Sequence, residues 1–141
     1  EEAETWRTRA DARFAALLEE FPEALGGHGL EYFLERGPAE RALELAEANA
    51  ELRADGEALT LLAEAQLGSE KVEEANATID RLLETPYRTP SMLELAMRVR
   101  EAAGANVDPL MTERQALMQR FASAEFVANV QRNLDEQTPE R

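Results

Sequence analysis

The sequence predicts an all-α protein of about seven helices, arranged as stacked helix hairpins. Three observations carry this. The first is composition: of 141 residues, 44% are hydrophobic and only 6% aromatic, with Ala and Leu supplying most of the apolar content. Strong helix formers dominate, and no long alternating run of β-branched residues argues for a sheet. The second is punctuation: Pro22, Gly37-Pro38, Asp55, Gly68-Ser69, Thr89-Pro90, Gly104 and Asp108-Pro109 cut the chain into short segments, each with an apolar stripe. The third is repetition. Gly56 to Tyr87 reads as two amphipathic helices joined by a tight turn. A weaker copy begins at Pro90, and a partial copy comes before Gly56.

Each element follows from its spacing. From Ala3 to Phe21, the residues Trp6, Ala10, Phe14, Leu17, Leu18 and Phe21 share one helix face, with Trp6 expected as an anchor in or at the edge of the core. Pro22 suits the first turn of a second helix carrying Leu25, Leu30, Phe33 and Leu34, in which Gly26, Gly27 and Gly29 suggest a bend or a close helix contact. Pro38 to Arg53 carries Ala42, Leu43, Leu45, Ala46, Ala50 and Leu52. Asp55 caps the next helix, whose stripe is Ala58, Leu59, Leu62, Ala63, Ala65 and Leu67. Ser69 is expected to cap its partner, with Val72, Ala75, Ile79, Leu82 and Leu83. Thr89 and Pro90 start a helix with Met92, Leu93, Ala96, Met97 and Val99, which Gly104 ends. From Leu110 a long helical pattern runs towards Leu134. Leu110, Leu117 and Phe121 lie on one face of it, and Phe126, Val127, Val130 and Leu134 on the opposite one, so the helix either breaks near Ser123 or is buried on two sides.

The repeat has internal detail. Leu59, Leu62 and Ala63 return as Leu93, Ala96 and Met97, all at one interval, and Ala42 precedes Ala75 by nearly the same step. This period, about 34 residues, resembles that of the tetratricopeptide repeat over about Pro22 to Leu117. The resemblance is best in the middle copy. There Leu59, Leu62 and Ala63 match the family's large–large–small set, and Ala75, Ile79 and Leu82 match its second-helix packing sites. Departures are the reversed Ala96–Met97 order, Pro109 in place of a small residue, the early turn glycine Gly68, and no clean match to the proline that follows the second helix. The resemblance implies a right-handed superhelix of antiparallel hairpins, an α-solenoid. Residues 1–141 would form one domain, with 1–21 a packing helix, 22–107 the repeats and 108–137 a capping extension. A lone hairpin cannot bury its own apolar face, so copies must stack.

Charge narrows the function. Fifteen cations against 29 anions give a net charge of −14, which disfavours nucleic acid and anionic lipid and favours a basic partner. No apolar run approaches the length of a membrane span. With no Cys, thiol chemistry and disulfides are excluded, and the compartment stays open between bacterial cytoplasm and periplasm. Lys71 is the one lysine, and this Arg- and Ala-rich usage fits a GC-rich bacterial coding bias or an acidic proteome of halophile type. The start at Glu1, with no Met, is the expectation for a piece of a longer protein.

Chemistry has little foothold. His28, the sole histidine, sits among glycines without partners for general-base or metal work, so no catalytic, cofactor or metal residue is assigned. The expected role is protein or peptide binding within a larger scaffold. Mapping the family's concave face residue by residue implies an acidic groove of Glu31, Leu34 and Glu35, then Thr60, Glu64 and Leu67, then Glu94, Arg98 and Glu101, suited to a basic or mixed-charge peptide. The competing reading of these residues is a set of solvated helix faces. A second candidate surface is Phe126, Val127, Val130 and Leu134, which in the alternative function would be the seam of a homodimer; its competitor is fold-back onto the last repeat.

Overall fold

The computed structural model describes residues 2–20 and 22–137, except the side chains of 3, 7, 11, 18, 19, 22–28 and 124–137. Among the described residues there are seven helices and no strand: α1 (Glu2–Glu20), α2 (Pro22–Arg36), α3 (Ala39–Leu52), α4 (Gly56–Gly68), α5 (Val72–Glu84), α6 (Pro90–Ala102) and α7 (Asp108–Gln137). The protein is all-α. Helices α2, α4 and α6 begin at Pro22, Gly56 and Pro90, so their starts are evenly spaced along the chain.

The chain divides into two compact units, Glu1–Tyr87 and Arg88–Arg141. In the first, each helix from α1 to α5 packs on the next, and α2 packs in addition on α4. Leu30, Phe33, Ala42, Leu43, Ala46, Ala50, Leu62 and Ala65 form one buried cluster, edged by Phe14, Tyr32, Leu34, Leu45 and Leu61. Phe14 of α1 stacks on Tyr32 of α2 with ring centroids 5.0 Å apart. Ala63 and Ala75 are both fully buried, as are Ile79 and Leu82. Between α4 and α5 a buried hydrogen bond runs from Thr78 Oγ1 to Gln66 Oε1 at 2.7 Å. It satisfies two polar groups inside the hairpin and fixes the register of the two helices.

Local signals set the helix ends. The Ala58 N–H donates to Asp55 Oδ1 at 2.9 Å, and the Met92 N–H donates to Thr89 Oγ1 at 3.1 Å. Both are side-chain caps of the expected kind, with Pro90 in the first turn of α6. The Asp55 carboxyl is held below the usual carboxylate range, first by the Ala58 hydrogen bond and further by Arg53. A group depressed in the folded state stabilises above its unfolded pKa and loses that contribution as pH falls through its folded value. Asp55→Ala is therefore expected to cost about 1 kcal/mol at neutral pH. Asp55→Asn should keep most of the cap. In urea titrations the gap between wild type and Asp55→Ala should close as pH drops below about 4. A gap that persists in acid would mean the carboxylate is not the source.

The turn after α4 corrects one expectation. Ser69 is the C-cap of α4 and not the N-cap of α5, whose N-cap Lys71 makes no side-chain cap bond. The Glu70 N–H donates to the Leu67 carbonyl and the Lys71 N–H to the Gln66 carbonyl, which places Glu70 at φ 60. Helix α6 ends in the same pattern: the Gly104 N–H reaches the Glu101 carbonyl, the Ala105 N–H reaches the Arg100 carbonyl, and Gly104 sits at φ 70. These are Schellman closures, which favour glycine at the left-handed position. Gly68 stands two residues too early to serve. Glu70→Gly should raise stability by about 1 kcal/mol, read as a higher denaturation midpoint at unchanged m; a lower midpoint would show that Glu70 makes a compensating contact.

Three large apolar residues fall outside the core against expectation. Trp6 is 64% exposed, with the Arg9 guanidinium 5.5 Å from its ring centroid, and Leu52, the last residue of α3, is 70% exposed. The third is in the second unit, where α6 packs on α7. Leu110 is buried, Leu117 half-buried and Phe121 55% exposed, all along the face of α7 that starts against α6. The cause is length. A 13-residue helix spans about 20 Å and a 30-residue helix about 45 Å, so α7 outruns its support. Helix α7 passes through Ser123 without a break, and Ser123 Oγ donates back to the Gln119 carbonyl at 2.8 Å. Likewise α2 is unbroken across Gly26, Gly27 and Gly29.

Candidate functional site

Two helices of the first unit open a cleft of about 380 Å³, lined by Glu31, Leu34 and Glu35 from α2 and by Leu61 and Glu64 from α4. The helices come together here because Leu30 and Phe33 of α2 and Leu62 and Ala65 of α4 belong to the same buried cluster. Leu34 and Leu61, packed on the edge of that cluster, make an apolar floor. Glu31 and Glu35, one turn apart on α2, and Glu64 on α4 place three carboxylates around it. Glu35 also lies 3.9 Å from the Arg36 guanidinium, a solvent-exposed pair worth little in water.

Four of the expected groove residues, Glu31, Leu34, Glu35 and Glu64, therefore share one site. Thr60 and Leu67 do not line it; both are half-buried, and Thr60 Oγ1 donates to the Gly56 carbonyl of its own helix at 2.6 Å. Leu61 takes the place expected for them. No spacing signal separates them, because Thr60, Leu61 and Leu67 all stand three or four residues from Glu64. Glu94, Arg98 and Glu101 lie exposed on α6, in the second unit, where Glu94 forms an ion pair with Arg114 of α7. Phe126, Val127, Val130 and Leu134 belong to α7, but their side chains lie outside the described residues, as does that of His28.

A cleft this small takes one or two side chains rather than a large ligand. Its chemistry suits the apolar stem of an arginine or lysine over the leucines, with the cationic head among the carboxylates. A second cleft of about 290 Å³ lies between α3 and the α4–α5 turn, lined by Ala39, Glu40, Leu43, Glu44, Glu47, Ser69 and Lys71. Lys71 lines it, and Glu44 is paired with Arg41 at 2.6 Å. Among the described residues no three His, Cys, Asp or Glu side chains converge to hold a metal ion, and no helix is long and apolar enough to cross a membrane. No family model, curated protein or solved structure matches the chain.

Proposed function

We propose that the chain is a protein–protein interaction module, a tetratricopeptide-like array of hairpins whose first helices present an acidic receptor for a basic or mixed-charge peptide. The observation that carries the reading is the α2–α4 cleft, where three carboxylates stand over two leucines. Several features of the fold support the repeat assignment. Helices α2, α4 and α6 start at a constant interval. The small residues Ala42, Ala63 and Ala75 are buried. In addition, α2 packs on α4, first helix against first helix. The right-handed superhelix belongs to this proposal.

Electrostatics gives the ligand its sign. With a net charge of −14, the chain attracts cationic partners at long range and repels acidic ones. The test is a fluorescence titration with a short amphipathic peptide carrying arginines on either side of a leucine, against a control with glutamates in their place. The double variant Glu31→Lys/Glu64→Lys should weaken the basic peptide by about 2–3 kcal/mol, a shift of roughly thirtyfold to more than a hundredfold. Its helical circular dichroism should be unchanged, because Glu31 is exposed and Glu64 half-buried. Binding should also weaken with salt. Equal affinity for both proteins would end the reading, as would equal affinity for both peptides.

A further inference from the structure

Helix α7 carries surface that the cleft does not use. Met111, Met118 and Phe121 are 50%, 44% and 55% exposed. Met111 and Met118 stand seven residues apart, with Gln115 and Ala122 between and beyond them, so the four follow the alternating four- and three-residue spacing of a helix-pairing seam. Phe121 flanks that seam.

The charge map names the occupant. Asp108 to Ser123 contains Asp108, Glu113, Arg114 and Arg120, a net charge of zero, so the whole −14 of the chain resides elsewhere. The Glu113 and Arg114 side chains are committed within the second unit, Glu113 to Arg88 at 2.8 Å and Arg114 to Glu94. A basic partner would be drawn to the acidic remainder and not to this face. Two copies of so acidic a chain repel each other wherever carboxylates face carboxylates. The neutral, methionine-bearing stretch of α7 is the face on which like can meet like.

We propose that α7 is a homotypic docking surface, on which Met111, Met118 and Phe121 of two copies meet across a two-fold axis. The contact is isologous, so each residue meets the same patch on the partner. It goes beyond the peptide-receptor reading and uses different residues in the other unit. Salt separates the two: screening relieves the repulsion between two −14 chains but leaves the apolar seam intact, so dimerisation should tighten with salt while cleft binding weakens.

The experiment is sedimentation equilibrium on the full chain at several concentrations, in low and high salt, on wild type, Met111→Glu/Met118→Glu and Phe121→Gln. Wild type should show a concentration-dependent dimer that strengthens with salt. The double variant should weaken it on the order of a hundredfold or more, and Phe121→Gln on the order of tenfold. All three positions are exposed, so circular dichroism should show unchanged helix content. Glu31→Lys/Glu64→Lys should dimerise like wild type. The proposal is overturned by a wild type that stays monomeric throughout, by variants that dimerise equally well, by a dimer that salt dissociates, or by loss of the dimer in the cleft variant.

Discussion

Gly56→Ala is expected to destabilise the first unit by about 2–3 kcal/mol, although alanine is the better helix former. Gly56 is the first residue of α4 and is buried. A Cβ there would stand 2.2 Å from Tyr87 Cβ, 2.4 Å from its Cγ and 2.8 Å from Cδ1. The nearest atom is the root of the tyrosine side chain, so a rotamer change cannot clear it, and the backbone must move. Tyr87 is placed there by the end of the α4–α5 hairpin. Thr85 closes α5 through its N–H and its Oγ1, both donating to the Leu82 carbonyl, and accepts from the Tyr87 N–H at 3.3 Å. Chemical denaturation of Gly56→Ala, Tyr87→Gly and the double variant would measure the coupling. Removing the tyrosine side chain should recover most of the loss; additive effects would mean the clash relaxes by another route.

Ala63→Leu is expected to cost about 1–3 kcal/mol, by overpacking. Ala63 is fully buried on α4, the helix against which α2, α3 and α5 all pack. Leucine adds three carbons where a methyl group suffices, and the surrounding helices must separate or the side chain must leave its rotamer. The half-buried Met97 of α6 is the control. Met97→Leu is close to volume-conserving and should change stability by less than about 1.5 kcal/mol. Urea midpoints at constant m would check both, and a tolerated leucine at 63 would show that helices do not approach closely there.

Much of the local structure was legible because its causes are local. Asp55, Thr89 and the two prolines at 22 and 90 mark helix starts through hydrogen bonds and φ preferences that need no distant partner. The buried state of Leu59, Leu62, Ala63, Ala75 and Ile79 follows from periodicity. Glu31, Leu34, Glu35 and Glu64 were named only through the resemblance, and the structure places these four along one cleft. Leu61 was not legible. Periodicity says which residues share a stripe, but the angle at which α4 turns towards α2 depends on how their ridges interlock. Trp6 and Phe121 show the same limit: an apolar residue in phase is buried only if a neighbour extends far enough to cover it.

The order of helix formers, caps and breakers determined that this chain is all-α and where most of its helices begin. Those are properties of short windows, in which hydrogen bonds and side-chain period act over one or two turns. Only the tertiary structure decided that Tyr87 closes over Gly56, that Gln66 and Thr78 lock the α4–α5 hairpin, and that Leu61 floors the cleft. It also decided that α7 runs on past its partner helix. Each of these depends on the relative rotation and length of separate helices, which are set by side-chain packing between residues distant in sequence.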